Sequence, residues 1–232
     1  MGAQVALAGT YAGHHLEGMQ IAGVAAITNG RSSGLQLGGV LSYSASDVKG
    51  LQLAGAANVA NDVNGLQFGL LNVARDVNGL QLGAVNVARH NRGIALGLFN
   101  WSEGARLQPT YFYQTPGYQN AGYRTLSGYS SGTISFGYDP STKRARTHFA
   151  TGPRYAYHRF AMGAEFGYGW VLENMSGKPS DRAHELDLIG TVSLEVIRNR
   201  VSVYAGGGGV LPVAGVVASE PRGLAQLGIS LF

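Results

Sequence analysis

The sequence predicts an all-β protein, a transmembrane antiparallel up-and-down β-barrel of about 14 to 16 strands. Three observations support this fold class. The first half repeats itself with a period of about 14 to 16 residues. The second half alternates apolar and polar residues with the period of two that β-strands require. The 36 glycines and 13% charged residues also suit densely packed strands with tight turns.

The repeat opens on a glycine followed by the dipeptide Leu-Gln. Its clearest copies read GLQLAGAANVANDVN from Gly50, GLQFGLLNVARDVN from Gly65 and GLQLGAVNVARHNR from Gly79. Weaker copies begin at Gly2, Gly18, Gly34 and Gly93, so the spacing between successive starts runs 16, 16, 16, 15, 14 and 14. Close to half the chain is therefore one supersecondary unit copied seven times.

Each copy allows two geometries, because its apolar residues switch from even to odd positions. Leu80 and Leu82 are at even positions, whereas Val85 and Val87 are at odd ones. Straight strands of about ten residues with four-residue turns would continue into roughly eight more, giving about 14 to 16 strands. A corner at 83–84 would instead put all four side chains on one face. Each copy would then be one coil of an N-terminal β-solenoid beside an eight-stranded C-terminal barrel. We favour straight strands, because a spacing that drifts from 16 to 14 is awkward for stacked coils.

The glutamines that a solenoid would stack are Gln4, Gln20, Gln36, Gln52, Gln67 and Gln81.

The aromatic residues divide the chain. Three of them precede residue 99, and nineteen follow from Phe99 onward. The repeat ends within residues 100–109. We predict a single barrel over residues 1–232, with a repeat-built half, 1–100, and an aromatic half, 101–232.

In the aromatic half one face of each strand is apolar and the other is polar. A soluble β-sandwich also alternates, but its outward face should be polar, whereas here the apolar face includes Trp170 and repeated tyrosines. The residues predicted to face lipid are Phe160, Phe166, Tyr168, Trp170, Leu186 and Leu188. The residues predicted to line the lumen are Arg146, His148, Arg154, Glu165, Glu185, Asp187 and Glu195. These charges would line a selective pore in a wide barrel or fill a narrow one as salt bridges.

The connections alternate in length. Longer ones are predicted at 139–143, 173–182 and 218–223, and tight turns near 157–160 and 197–200. Long loops at one end and short turns at the other are typical of outer-membrane barrels.

Composition excludes several kinds of chemistry. Without cysteine there is no zinc cluster and no thiol nucleophile. A net charge of +4 with scattered basic residues argues against a nucleic-acid groove, although Lys143 and Arg144 could meet lipopolysaccharide phosphates. His184 with Ser180 and Asp181 offers the residue types of a hydrolase, but nothing places them in triad geometry. We predict no enzyme, no catalytic residue, no metal and no cofactor.

The repeat half has small residues and lacks an aromatic girdle, so its strands are not expected to face ordinary bilayer along their whole length. We expect a homo-oligomer, with a ring as one form, in which this surface packs on another copy or encloses lipid. The residues predicted to mediate self-association are Leu66, Leu70, Leu80, Leu82, Val85 and Val87.

Runs of the type GLQLGAVNVARDVNGLQ, followed by an aromatic barrel half, resemble the leptospiral-type surface-repeat family of Gram-negative outer-membrane proteins. The resemblance covers Gly18 to about Asn100. It implies a surface or outer-membrane location and supplies no catalytic residues.

We therefore expect a non-enzymatic bacterial outer-membrane barrel with a structural, membrane-organising role or a passive, porin-like one, and with membrane lipid as its main partner. The alternative is a surface-displayed adhesion or host-contact protein. That alternative needs a projecting surface, which the solenoid geometry would supply.

Overall fold

A computed structural model describes residues 2–172, 182–215 and 221–232. The connections expected at 173–182 and 218–223 lie largely outside these residues. Within the described ranges every regular element is a β-strand, and no helix is long and apolar enough to cross a membrane.

The chain forms two compact units. The first comprises Met1–Ala105 with Ser127–Tyr129, and the second comprises Arg106–Leu126 with Ser130–Phe232. The first unit is a stack of parallel strands and the second is a closed antiparallel barrel. The unit boundary at residue 105 falls inside the 100–109 segment in which the repeat ends.

The repeat unit is a parallel β-solenoid with two short strands in each of its seven coils. The first strands of the coils are β1 (Gly2–Ala6), β3 (Leu16–Ala22), β5 (Ser32–Gly38), β7 (Val48–Ala54), β9 (Asp62–Phe68), β11 (Leu80–Leu82) and β13 (Ile94–Leu96). The second strands are β2 (Gly9–Ala12), β4 (Ala25–Thr28), β6 (Leu41–Ser44), β8 (Ala57–Val59), β10 (Leu71–Val77), β12 (Val85–Asn91) and β14 (Phe99–Trp101).

The expected single barrel of about 14 to 16 strands is therefore wrong, and the solenoid geometry is found instead. Equivalent repeat positions stack in register: Gln52 lies beside Gln36 on one side and Gln67 on the other. Asn72 lies between Asn58 and Asn86 in the same way.

A corner explains the change of apolar parity inside each copy. β11 ends at Leu82 and β12 begins at Val85, so the chain turns at 83–84. Before the turn the odd-numbered Gln81 is buried, and after it the even-numbered Asn86 is buried. The leucines and valines beside these two residues point outward. We call the residues that join the two strands of a coil the apolar bend.

The repeat becomes shorter along the chain, and the turns absorb the difference. Stacked glutamines are 16 residues apart in the early coils and 14 apart in the later ones. Leu53 pairs with Phe68 and Ala57 with Leu71, so one residue fewer is needed at the bend of the later coil. The other missing residue falls where one coil passes into the next. Because turns tolerate a change of length better than strands do, the ladder register survives the shorter period.

Close approach between coils explains the glycine that opens each copy. Gly50 has φ +121°, and a Cβ placed on it would lie 2.3 Å from the carbonyl oxygen of Gly34. A side chain would be both strained and in collision with the backbone of the preceding coil.

The second unit is a closed barrel of eight antiparallel strands. They are β15 (Arg106–Gln114), β16 (Tyr118–Ser127), β17 (Ser130–Asp139), β18 (Arg144–Tyr157), β19 (Phe160–Leu172), β20 (Arg182–Ile197), β21 (Val201–Gly215) and β22 (Arg222–Leu231). β15 pairs with β22 and closes the barrel. The tight turns predicted near 157–160 and 197–200 are confirmed by the strand ends.

Candidate functional site

The barrel interior contains the charged residues that alternation assigns to the lumen. Five of the seven are buried, with exposed fractions of 1% for Arg146 and 5% for Asp187. The buried five are Arg146, His148, Glu165, Glu185 and Asp187. The other two, Arg154 and Glu195, are half-buried and share the inward parity of their strands.

Asp187 lies at the centre of the larger charge cluster. Arg146 Nη2 donates to Asp187 Oδ2 over 2.6 Å, and His148 Nε2 lies 2.9 Å from the same oxygen. Arg146 Nη1 also donates to Gln114 Oε1 over 2.9 Å, and its Nε lies 3.7 Å from Glu185 Oε2. One carboxylate thus compensates the Arg146 guanidinium and also contacts the His148 imidazole, away from water.

A second cluster surrounds Glu165. Its carboxylate accepts a hydrogen bond from the Arg124 guanidinium and another, 2.9 Å long, from Ser131 Oγ. Arg222 forms an ion pair with Glu185. The interior therefore contains matched charges.

Sequence reasoning missed Arg124 and Gln114, both of which are buried. The alternation does indicate both residues. Arg124 lies an even number of positions from the buried Asn120 in β16, and Gln114 lies two positions from the buried Phe112 in β15. Alternation in the first two barrel strands would have placed them inside.

The six residues predicted to face lipid all lie on the outer surface of the barrel. Phe160 is 64% exposed, and Phe166, Leu188, Leu186, Tyr168 and Trp170 are exposed by smaller fractions. Across the interstrand pair, Tyr168 faces Leu186 and Phe166 faces Leu188, so the apolar side chains form continuous patches.

The solenoid buries a ladder of glutamines. Gln36 Nε2 donates to Gln20 Oε1 over 3.1 Å, Gln52 donates to Gln36 over 2.9 Å, and Gln67 donates to Gln52 over 2.7 Å. Each of these four side chains is fully buried. Because an amide has both a donor and an acceptor, identical residues can satisfy one another along the stack.

A second ladder follows the second strands. Asn58, Asn72 and Asn86 each donate to the asparagine of the next coil over 2.8 Å, and the last acceptor is Asn100. The two ladders lie inside the solenoid beside a buried apolar cluster that includes Val48, Val63 and Val77.

The outer surface of the solenoid is apolar. The six residues predicted to mediate self-association lie there, with Leu70 exposed and the other five half-buried. Leu66, Leu80 and Leu82 belong to first strands, Leu70 to an apolar bend, and Val85 and Val87 to a second strand.

Charged residues occupy one side of the coils, in the four residues that precede each repeat glycine and at the equivalent Glu103. We call this side the charged edge. Arg75 pairs with Asp62 and with Asp76, each over 2.9 Å, and His90 Nδ1 lies 2.7 Å from Asp76 Oδ1. The hydrogen bond from Arg75, and after it that from His90, holds the pKa of Asp76 below its ordinary value.

Of the three hydrolase residue types noted in the sequence, the structure describes only His184. His184 lies in β20 and hydrogen-bonds Tyr168 on the barrel exterior, while Ser180 and Asp181 lie outside the described residues. In the same ranges no group of three or more His, Asp or Glu residues could hold a metal ion. The barrel has a charged interior, the solenoid has an uncharged interior of amide ladders and small apolar side chains, and both units have an apolar exterior.

No protein-family model matches the sequence, and a search of curated proteins finds no significant match.

Proposed function

We propose that this protein is a non-enzymatic bacterial outer-membrane protein, whose barrel spans the membrane as a sealed anchor and whose role is structural. The observation that supports it best is the inverted amphipathicity of the barrel. A soluble barrel places apolar side chains inside and polar ones outside. Here Arg146, Asp187 and Glu165 are inside, and Phe166 and Trp170 are outside.

Strand length supports the same proposal. The barrel strands run from the nine residues of β15 to the sixteen of β20. A tilted strand needs about 9 to 11 residues to cross the hydrocarbon core.

The number of strands favours a structural role over porin-like permeation. Eight strands enclose a space that side chains can fill. Exposed fractions of 1 to 5% at Arg146, His148 and Asp187 leave these side chains almost without contact with solvent. A water-filled channel would leave such residues solvated.

Reconstitution tests the membrane proposal. In a Trp101→Phe variant, Trp170 is the remaining tryptophan and lies on the barrel exterior. We expect brominated phosphatidylcholine to quench its emission in vesicles. A barrel that stays in solution without detergent, with unquenched Trp170, would contradict the proposal.

Planar-bilayer recording tests the sealed lumen. We expect no stepwise conductance from inserted wild-type protein, because the charge clusters occlude the interior. Regular open steps would instead support the porin-like role.

Surface display is a second candidate, since the repeats do form the solenoid that it requires. An epitope inserted in an apolar bend separates the two roles: antibody binding to intact cells supports display of a projecting solenoid, and binding only after lysis opposes it. Self-association through the repeat half stays a prediction.

A further inference from the structure

The charges of the solenoid are confined to one side. All ten Asp, Glu, Lys and Arg residues among residues 1–105 lie on the charged edge. Five are basic and five are acidic, so this edge has no net charge. Some of them pair with one another, as Arg75 does with Asp62.

The other three sides of the coil are apolar. Leu51, 43% exposed, and Phe68 lie on the face of the first strands, and Leu71 lies on the face of the second strands. The apolar bend between these faces presents Val40 and Leu70, the latter 64% exposed. Contiguous apolar surface of this extent marks a surface that is covered by something other than water.

We propose that the hydrocarbon of a single membrane leaflet covers this surface, with the apolar bend innermost and the charged edge at the headgroups. The proposal rests on the membrane location proposed above. One neighbouring protein would cover one face and leave the bend and the opposite face exposed, whereas lipid chains surround all three.

The size of a coil fits one leaflet. The extended strand runs from Leu66 to Phe68 and the bend adds Gly69 and Leu70, so these four residue steps reach at most about 13 Å in depth. One leaflet contributes about 15 Å of hydrocarbon. The coil therefore fits within one leaflet and is too short to span two.

The inner coils of the solenoid meet the main requirement for entering lipid. Backbone polar groups must be satisfied within the protein when water is absent. Inner first strands such as β5 and β7 pair with neighbours on both sides, and the Gln52 amide donates to Gln36, which donates in turn to Gln20. Because the charged edge has no net charge, we expect affinity for the membrane to come from contact with hydrocarbon and not from attraction to anionic headgroups.

The absence of cysteine from the sequence allows single-cysteine labelling of the full chain. A bimane label is placed at Leu70→Cys in the apolar bend, at Asn64→Cys on the charged edge of the same coil, and at Phe166→Cys on the barrel. Each variant is reconstituted in phosphatidylcholine vesicles with lipids spin-labelled in the acyl chain. Aqueous iodide is the opposing quencher.

We expect spin-labelled lipid to reduce emission about twofold or more at Leu70→Cys and Phe166→Cys, and little at Asn64→Cys, which iodide should quench instead. Val40→Cys repeats the test in another bend, should Leu70→Cys fail to fold. High salt should leave the pattern unchanged.

Three results oppose the proposal in distinguishable ways. Quenching by lipid at Phe166→Cys, with iodide quenching at both bends, overturns the leaflet proposal and leaves the barrel anchor standing. Bends shielded from both quenchers indicate a second copy in place of lipid and also overturn it. Absence of lipid quenching at Phe166→Cys contradicts the proposed function itself, and the leaflet proposal with it.

Discussion

The solenoid and the barrel both bury polar side chains and expose apolar ones, but they satisfy the buried groups in different ways. The barrel pairs opposite charges, as between Arg146 and Asp187. The solenoid stacks neutral amides, as between Gln52 and Gln67.

The difference follows from how neighbouring strands are related. In the parallel stack each side chain lies beside the same residue of the next coil, about 4.8 Å away. A repeated charge would repel its own copies, whereas a repeated amide donates to one neighbour and accepts from the other. In the antiparallel barrel neighbouring strands differ in sequence, so unlike charges can meet. Repetition therefore selects self-complementary groups.

The largest effect is expected from Asp187→Ala. It leaves Arg146 and His148 buried without their carboxylate, which should lower the free energy of unfolding by about 3 to 5 kcal/mol. Guanidinium unfolding followed by Trp170 emission in the Trp101→Phe background measures it. Asp187→Glu, which keeps the charge, is the control and should lose less. Equal losses would show that the charge pair is unimportant.

Gln67→Glu places a charge in the amide ladder and should cost about 3 kcal/mol near neutral pH. Burial should raise the pKa of the introduced carboxyl above its unfolded value. The variant should therefore be most stable below about pH 4 and lose stability as pH rises through the folded pKa. Trp101 emission in a Trp170→Phe background reports it. Asn64→Asp makes the same change on the charged edge and should have little effect; similar losses at both sites would contradict the ladder interpretation.

Gly50→Ala should destabilise the solenoid by about 1 to 3 kcal/mol, because it adds strain at positive φ and a clash with Gly34. Gly190→Ala is the matched change in the barrel, where the nearest atom to the new Cβ is 3.7 Å away. Denaturant midpoints of the two variants give the comparison. A Gly50→Ala midpoint equal to that of the wild type would show that the coils can separate without cost.

Asp76→Asn should have the smallest effect, since its ion pairs with Arg75 and His90 are exposed to solvent. Because the folded pKa of Asp76 is lowered, its contribution is present above the unfolded pKa and is lost as pH falls through the folded pKa. Wild type and variant should converge in acid and in high salt. A gap that persisted in molar salt would mean that the contact is not electrostatic.

The sequence predicts much of the site and less of the architecture. Period-two alternation places Arg146, His148 and Asp187 inside the barrel and Phe166 outside, as observed. Alternation works there because strands are long and each face meets one environment.

In the repeat the same signal is ambiguous. The parity change between Leu82 and Val85 fits a long strand or a corner, and local sequence does not distinguish them. The choice depends on contacts between coils, such as that of Gln81 with the glutamine one repeat earlier. The decrease in repeat spacing from 16 to 14 residues favoured straight strands over stacked coils, but the turns of the solenoid absorb this decrease. The partners within the barrel, such as Arg124 and Glu165, also depend on strand order and register.

The register of the stack has a consequence for how such a chain can evolve. Because the later coils are nearly identical in sequence and length, unequal recombination between copies would insert or delete whole coils in frame. Each event would change the stack by about 4.8 Å and leave both hydrogen-bonded ladders continuous. The number of coils, and with it the length of the solenoid, can therefore change during evolution without any substitution in the barrel.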